Sequence, residues 1–261
     1  MIGVGYRKEL AGWIDSRPRG IECLEITAEH FFQGGEARLR QLASQFHLFV
    51  HGLGLSLGTP GPLDAKTLDH FAHVVSVANP DWISEHISFT RTAEADLGHL
   101  NPIPPTREML HIIADHACEV STRCGKPIIL ENITSHVRLS GDLTETEFLN
   151  LLCDRADCGL LLDVTNLFIN SRNHGYDPLA WLHEIEPSRI VQLHIVGYTL
   201  SGERYMDSHS QPIQPELIEL AVAVTRYAPV KAIILERDED IPSAPELEKE
   251  IAKLEQICAS R

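Results

Sequence analysis

Short apolar runs that stop abruptly at a polar or charged residue recur along this chain, and they constrain its fold more than any other feature. Gly159-Leu-Leu-Leu-Asp163 is the clearest of them. An unalternating apolar run of that length is the pattern of a strand buried on both faces, as in a parallel sheet. Similar runs are Ile2 to Tyr6, Cys23 to Thr27, His47 to His51, Trp82 to His86, Pro127 to Asn132, Ile190 to Val196 and Ala232 to Glu236. Helical periodicity fills the intervals: Leu10 to Asp15, Glu36 to Phe46, Asp64 to Ala78, Thr106 to Arg123, a helix opened by the Thr144-Glu-Thr-Glu147 capping signature, Pro178 to Ile185, Glu216 to Tyr227 and Ala244 to Cys258. Phe89 to Pro105 reads as a long connection, with Asn101-Pro and Pro104-Pro as loop signals.

Eight β units alternating with helices predict an α/β protein, a (β/α)8 TIM-type barrel. The 261 residues suit one such barrel, and no Gly/Ser/Pro-rich linker divides them, so 1–261 reads as a single domain. A doubly wound open sheet is the structural alternative, but no G-x-G-x-x-G follows the first strand.

The formal net charge of −15 argues against nucleic acid or an anionic membrane as partner, since both need a basic footprint. No signal peptide opens the chain and no apolar stretch is long enough to span a membrane, which predicts a cytoplasmic protein. The six cysteines lie at irregular spacings without a Cys-x-x-Cys pair, so reduced thiols are expected rather than a disulfide or zinc framework.

Strand parity then sorts the polar termini. Residues two apart share a face, so in a barrel the polar residues at or near the ends of six of these runs rim the same mouth: His51, His86, Glu131, Asp163, His194 and Glu236. The intervening loops add Asn166, His174, Asp207 and His209. Ten donors exceed what one ion takes, and mixed imidazole and carboxylate donors suit iron, manganese or zinc, with carboxylates able to bridge two ions. Singly, His51 and His86 read as well as structural histidines, and Asn173-His174-Gly175 as a turn. Glu131 and Glu236 resist a structural reading, because an unpaired buried charge is costly. Gly52 to Gly58 lacks the lysine of a phosphate-binding P-loop and reads as a tight barrel loop. Arg237-Asp238-Glu239-Asp240 reads as a polar lip to the mouth or as a charged loop.

With these residues in view, the chain resembles the multinuclear non-haem iron-dependent oxidases, a family related to the methanobactin biosynthesis oxidase. The resembling segments are Gly3-Val-Gly5-Tyr-Arg7, His51-Gly-Leu-Gly-Leu-Ser-Leu-Gly58, Ser84-Glu-His86-Ile-Ser-Phe, Leu130-Glu131-Asn132 and Leu162-Asp163-Val-Thr-Asn166. Asn173-His174-Gly175, His194-Ile-Val-Gly197, Asp207-Ser-His209 and Glu236-Arg237-Asp238 complete them, in the family's order. The chain departs from the family at Lys8-Glu9 and at Glu29-His30-Phe31, on the expected peptide side.

The resemblance implies a barrel holding two or three iron ions (Fe2+/Fe3+) that uses dioxygen as co-substrate to modify cysteines of a ribosomally made precursor peptide. It often implies a separate peptide-binding partner protein as well. Carried over by position, all ten residues named above become iron ligands, with Glu131, His194 and Asp207 catalytic, and Arg7 is offered to a peptide carboxylate. The rival reading is a divalent-metal hydrolase or isomerase of the xylose-isomerase-like barrel type acting on a sugar or phosphoester. A non-catalytic peptide-binding barrel is a further, weaker rival.

Overall fold

Eight parallel strands close into a barrel in the computed structural model, which describes residues 1–92 and 94–260. Ala93, within the connection from Phe89 to Pro105, and Arg261 lie outside the described residues. The strands are β1 (Ile2–Gly5), β2 (Cys23–Thr27), β3 (His47–His51), β4 (Ile83–His86), β5 (Ile128–Glu131), β6 (Gly159–Asp163), β7 (Ile190–Ile195) and β8 (Ala232–Leu235). Each pairs with its sequence neighbours, and β1 closes the ring on β8. Helices follow the strands, as right-handed parallel crossovers require. The expected single-domain TIM-type barrel is therefore the observed architecture.

Alternation along the strands produces two cores. Outward residues such as Ile26, Val50, Leu130, Leu162 and Leu193 pack against the helices. Inward residues form a separate plug of Cys23, Phe49, Trp82, Ile129, Leu161, Ala232 and Ile234, in which Phe49 and Trp82 stack with ring centroids 4.3 Å apart. Two residues further along each strand the interior turns polar: Glu25, His51, Ser84, Glu131, Asp163, His194 and Glu236 stand above Cys23, Phe49, Trp82, Ile129, Leu161, Gln192 and Ile234. The plug is thus the floor on which the polar layer rests. β1 contributes no inward side chain to either layer: a Cβ on Gly3 would collide with the Cys23 carbonyl oxygen, so only glycine fits that crowded wall.

The connections differ most from the sequence expectation. The segment expected to be loop after β4 carries an antiparallel hairpin, Phe89–Arg91 with Asp96–Asn101. Its second strand is exposed and polar and contains Gly98 at φ +68°, so no buried face stamps a period on the sequence. A second hairpin follows β7, Gly197–Ser201 with Arg204–Gln211. Its two-residue connection begins with Gly202 at φ +63°, a type II′ signal that was available in the sequence. Asp207 and His209 therefore stand on a strand, not in a loop. Finally, Asp163 caps a helix, Val164–His174, by accepting from the Asn166 amide at 2.7 Å. Asn166 and His174 accordingly lie on that helix rather than in loops, and Gly175 is its left-handed C-terminal cap. No helix among the described residues is long and apolar enough to cross a membrane.

Truncating the plug tests this floor. Phe49 is 1% exposed, so Phe49→Ala is expected to cost about 3–5 kcal/mol. Thermal unfolding followed by circular dichroism should then shift downward by roughly 10 °C.

Candidate metal centre

Three overlapping groups of donors lie in the polar layer and just above it. Among the described residues, His51, His86 and Glu131 form the first, Glu131, Asp163, His194 and Glu236 the second, and His209, Glu236 and Asp238 the third. Within each group the donor atoms lie within 4.8 Å of one another. Strand register produces the first two: His86 stands beside Glu131 in the β4–β5 ladder, and Asp163 beside His194 in the β6–β7 ladder.

Glu131 and Glu236 each belong to two groups. Glu131 Oε2 lies 3.3 Å from His51 Nε2 and 3.4 Å from His86 Nε2, while its Oε1 lies 3.2 Å from His194 Nδ1. Glu236 Oε2 lies 3.0 Å from His194 Nδ1 and 3.6 Å from His209 Nδ1. Glu131 thus turns its two oxygens to different neighbours, the geometry that bridges two cations, whereas at Glu236 one oxygen faces both histidines and Oε1 faces Arg7. The third group gathers at the mouth. His209 adopts φ +48°, an uncommon conformation for a non-glycine residue, and its carbonyl accepts from the Asp238 amide at 3.1 Å, tying the hairpin to the loop after β8. His209 Nδ1 then faces Asp238 Oδ2 at 3.1 Å, and Nε2 faces Asp207 Oδ1 at 2.9 Å.

The electrostatics of the cluster call for positive charge. His51 Nε2, Glu131 Oε2, Asp163 Oδ2, Asp207 Oδ1 and His209 Nδ1 are buried without a well-formed hydrogen bond, a cost that native interiors avoid unless another partner takes those atoms. Burial, reinforced by Glu131 and Asp207, pushes the Asp163 carboxyl well above the usual carboxylate range. Burial opposes charge at Glu236 too, yet His194 and His209 hold it well below that range. Burial also opposes a charged His194, but Glu25, Glu236 and Glu131 drive it far upward. Burial beside His86 and His194 depresses His51. At His86 the carboxylates of Glu131 and Glu85 outweigh burial and bring it to about 9. Several carboxylates competing for protons in one dry space are suited to holding cations, and these donors fit iron, manganese or zinc.

Outer partners aim the rings. His51 Nδ1 lies 2.8 Å from Ser84 Oγ, and His86 Nδ1 lies 3.0 Å from Glu85 Oε1, which leaves each Nε2 to the first group. Glu85 and Glu29 also occupy the glycine-rich loop. Glu29 Oε1 accepts from the Leu53 and Gly54 amides at 2.9 and 2.8 Å, and Glu85 Oε2 from the Leu55 amide at 2.9 Å. The protein's own carboxylates thus hold those amides, in keeping with a tight barrel loop.

The ten expected residues do not all meet. His51, His86, Glu131, Asp163, His194 and Glu236 converge, and His209 joins them from the hairpin with Asp207 at its side. Asn166 is adjacent: its Oδ1 accepts from Thr134 Oγ1, and its Nδ2 donates to the Asn132 carbonyl at 3.2 Å. His174 stands apart. Eleven residues along a helix from Asp163 is about 16 Å of rise, and its Nε2 faces the Ser135 carbonyl at 2.8 Å. There it lines a cavity of about 660 Å³ with Glu145, Tyr176 and Trp181, which reaches back to Asn132 and Ile87, the neighbours of Glu131 and His86. Asp238 belongs to the third group although the sequence offered it only as part of a polar lip. Arg7 reaches the mouth, but its Nε donates to Asp238 Oδ1 at 2.6 Å and its Nη2 lies 3.6 Å from Glu236 Oε1, so internal carboxylates take the guanidinium. Glu25, beside His194, and Gln192, beneath it, escaped the sequence reading because polar residues inside an apolar strand leave no periodic signal.

A model of the family described as RiPP precursor modification enzyme MbnB/TglH/ChrH matches residues 1–259. A UPF0276 protein of Chromobacterium violaceum is 35% identical over 261 residues, covering 98% of this chain and 94% of that one. A UPF0276 protein of Rhizorhabdus wittichii is 32% identical over 257 residues, 96% of this chain and 92% of that one. Among solved structures, D-psicose 3-epimerase from Clostridium cellulolyticum superposes with a TM-score of 0.63 at 12% identity, covering 99% of this chain and 98% of that one. Endonuclease IV from Thermus thermophilus gives 0.60 at 16% identity, with 99% and 98% covered. At such identities the structural likeness speaks for the fold alone.

A divalent cation such as Zn2+ at a hundred times its dissociation constant should stabilise the protein by about 2.7 kcal/mol. The melting temperature should rise by roughly 5–10 °C. Glu131→Gln, which removes the charge shared by two groups, should lose most of that shift in differential scanning fluorimetry, and EDTA should reverse it in the unmutated protein.

Proposed function

Because the chain belongs to the RiPP precursor modification enzyme family MbnB/TglH/ChrH, we propose that it is a multinuclear non-haem iron oxidase. In this reading it uses dioxygen to modify cysteines of a ribosomally made precursor peptide in the cytoplasm, with a separate peptide-binding protein as its partner. The observation that carries the reading is the sharing of Glu131 and Glu236 between donor groups, with unpartnered atoms facing inward.

His51, His86 and Glu131 would hold one iron, Glu131, Asp163, His194 and Glu236 a second, and His209, Glu236 and Asp238, with Asp207 beside them, a third. Asn166 sits at the edge of this set, and His174 belongs to the substrate cavity rather than to the ions. Bound iron would supply the electron transfer to dioxygen that no side chain here can perform.

The chain's own residues do the rest. The plug closes the barrel from below, so substrate enters only at the mouth. Glu131, His194 and Asp207 set the charge and orientation of the reacting space. The thiol must come from the peptide: Cys23, in the plug beneath the polar layer, is pushed up to about 12 by burial. Peptide side chains flanking the modified cysteine would occupy the cavity beside Asn132, whose volume is that of a ligand pocket.

The test is turnover of a cysteine-bearing precursor peptide by anaerobically iron-loaded protein, with dioxygen uptake and product mass followed together. Uptake coupled to a mass change on cysteine is expected, and His194→Ala should abolish both while the fold persists by circular dichroism. Turnover of a sugar or phosphoester with Mn2+ or Zn2+ in the absence of dioxygen would instead establish the hydrolase or isomerase reading.

A further inference from the structure

His194 is oriented opposite to the other two barrel histidines. His51 and His86 turn Nδ1 toward their outer partners and Nε2 inward. His194 turns Nε2 outward, 2.6 Å from Glu25 Oε1, and presents Nδ1 to Glu131 Oε1 and Glu236 Oε2 at 3.2 and 3.0 Å. A chain of hydrogen bonds through the barrel interior accounts for the reversal, and its direction can be deduced from one end.

The Trp82 indole N–H can only donate, and it lies 2.8 Å from Gln192 Oε1. That contact fixes which end of the Gln192 amide is oxygen, a choice the hydrogen-bond network must decide. Gln192 Nε2 then donates to Glu25 Oε2. Glu25, as a carboxylate, only accepts, so the short contact from Glu25 Oε1 to His194 requires the proton on Nε2. With Nε2 committed to Glu25, Nδ1 is the ring nitrogen whose lone pair a cation can take, between the carboxylates of Glu131 and Glu236. Where His194 is 0% exposed, Nδ1 and the two facing carboxylate oxygens need a proton or a cation between them. Trp82, Gln192 and Glu25 are themselves buried, at 7%, 0% and 3% exposure, so water does not compete for these bonds.

We propose that Trp82, Gln192 and Glu25 form a positioning relay that fixes the tautomer of His194, making Nδ1 its metal-binding atom. Glu25 also places a compensating negative charge behind the ring, which strengthens it as a donor. This inference rests on the metal-centre reading above and adds positioning residues to it.

The isosteric variant Glu25→Gln breaks the direction of the relay. Its amide can satisfy Gln192 or His194, not both, because one N–H must then meet another. The double variant E25Q/Q192E restores every direction. The carboxylate introduced at position 192 accepts from Trp82 and from the amide nitrogen introduced at position 25. The amide oxygen at position 25 then accepts from His194 Nε2. Zn2+ affinity, measured by competition with a chromophoric chelator, is the first readout. The imidazole 15N–1H correlation spectrum of zinc-loaded protein is the second, since it separates a protonated Nε2 from a metal-bound one.

The relay predicts that Glu25→Gln weakens Zn2+ binding by about 10–100-fold. It predicts that the double variant recovers most of that loss and shows the Nε2–H signal of His194. Trp82→Phe, which frees Gln192 to rotate, should fall between wild type and Glu25→Gln, and it supplies the answer if Glu25→Gln does not fold. Unchanged affinity in Glu25→Gln, or a double variant no better than the single, overturns the relay while leaving the metal centre standing. Failure of the wild-type protein to bind Zn2+ at all overturns the metal centre and the relay together.

Discussion

Glu131 is the constraint on which the rest of the structure depends. It is a carboxylate 2% exposed, with one oxygen turned to His51 and His86 and the other to His194. Burying that charge is tolerable only among groups that compensate it. Histidines from three strands and the further carboxylates of Asp163 and Glu236 gather around it, and together they form donor groups that could hold cations. The barrel supplies the rigidity. Six of these donors sit on β3 to β7 or directly after β8, within strand register, so their spacing is set by the sheet rather than by mobile loops.

The apolar plug and the polar layer divide the labour of one interior. Phe49 and Trp82 stack below, and Trp82 donates from its only polar side-chain atom to Gln192. The same side chain thereby seals the floor and starts the hydrogen-bond chain that reaches His194. β1 makes room on its side by presenting glycine, and Arg7 folds over Gly5 toward Asp238 and Glu236. A guanidinium between the carboxylates of the third group partly neutralises the most exposed corner of the cluster, where Asp238 contacts solvent.

Much of this was legible in the sequence, for a physical reason. A strand buried on both faces writes an apolar run, and a polar residue ending such a run has to be explained, so the barrel and the convergence of His51, His86, Glu131, Asp163, His194 and Glu236 could be read from parity alone. The hairpin bearing Asp207 and His209 could not, because its strands are half-exposed and carry no periodicity. The helix after Asp163 was hidden because Asp163 serves both as its cap and as a member of the donor cluster, and that helix carries His174 out of reach. Asp238 was masked by the charged residues around it, and Glu25 and Gln192 by apolar neighbours.

Anaerobically iron-57-loaded protein examined by Mössbauer spectroscopy, with metal content measured on the same sample, tests the central claim most directly. Shared carboxylates at Glu131 and Glu236 predict two or three irons per chain, with the magnetic coupling of bridged ions on oxidation. One isolated iron, or zinc or manganese in place of iron, would contradict it.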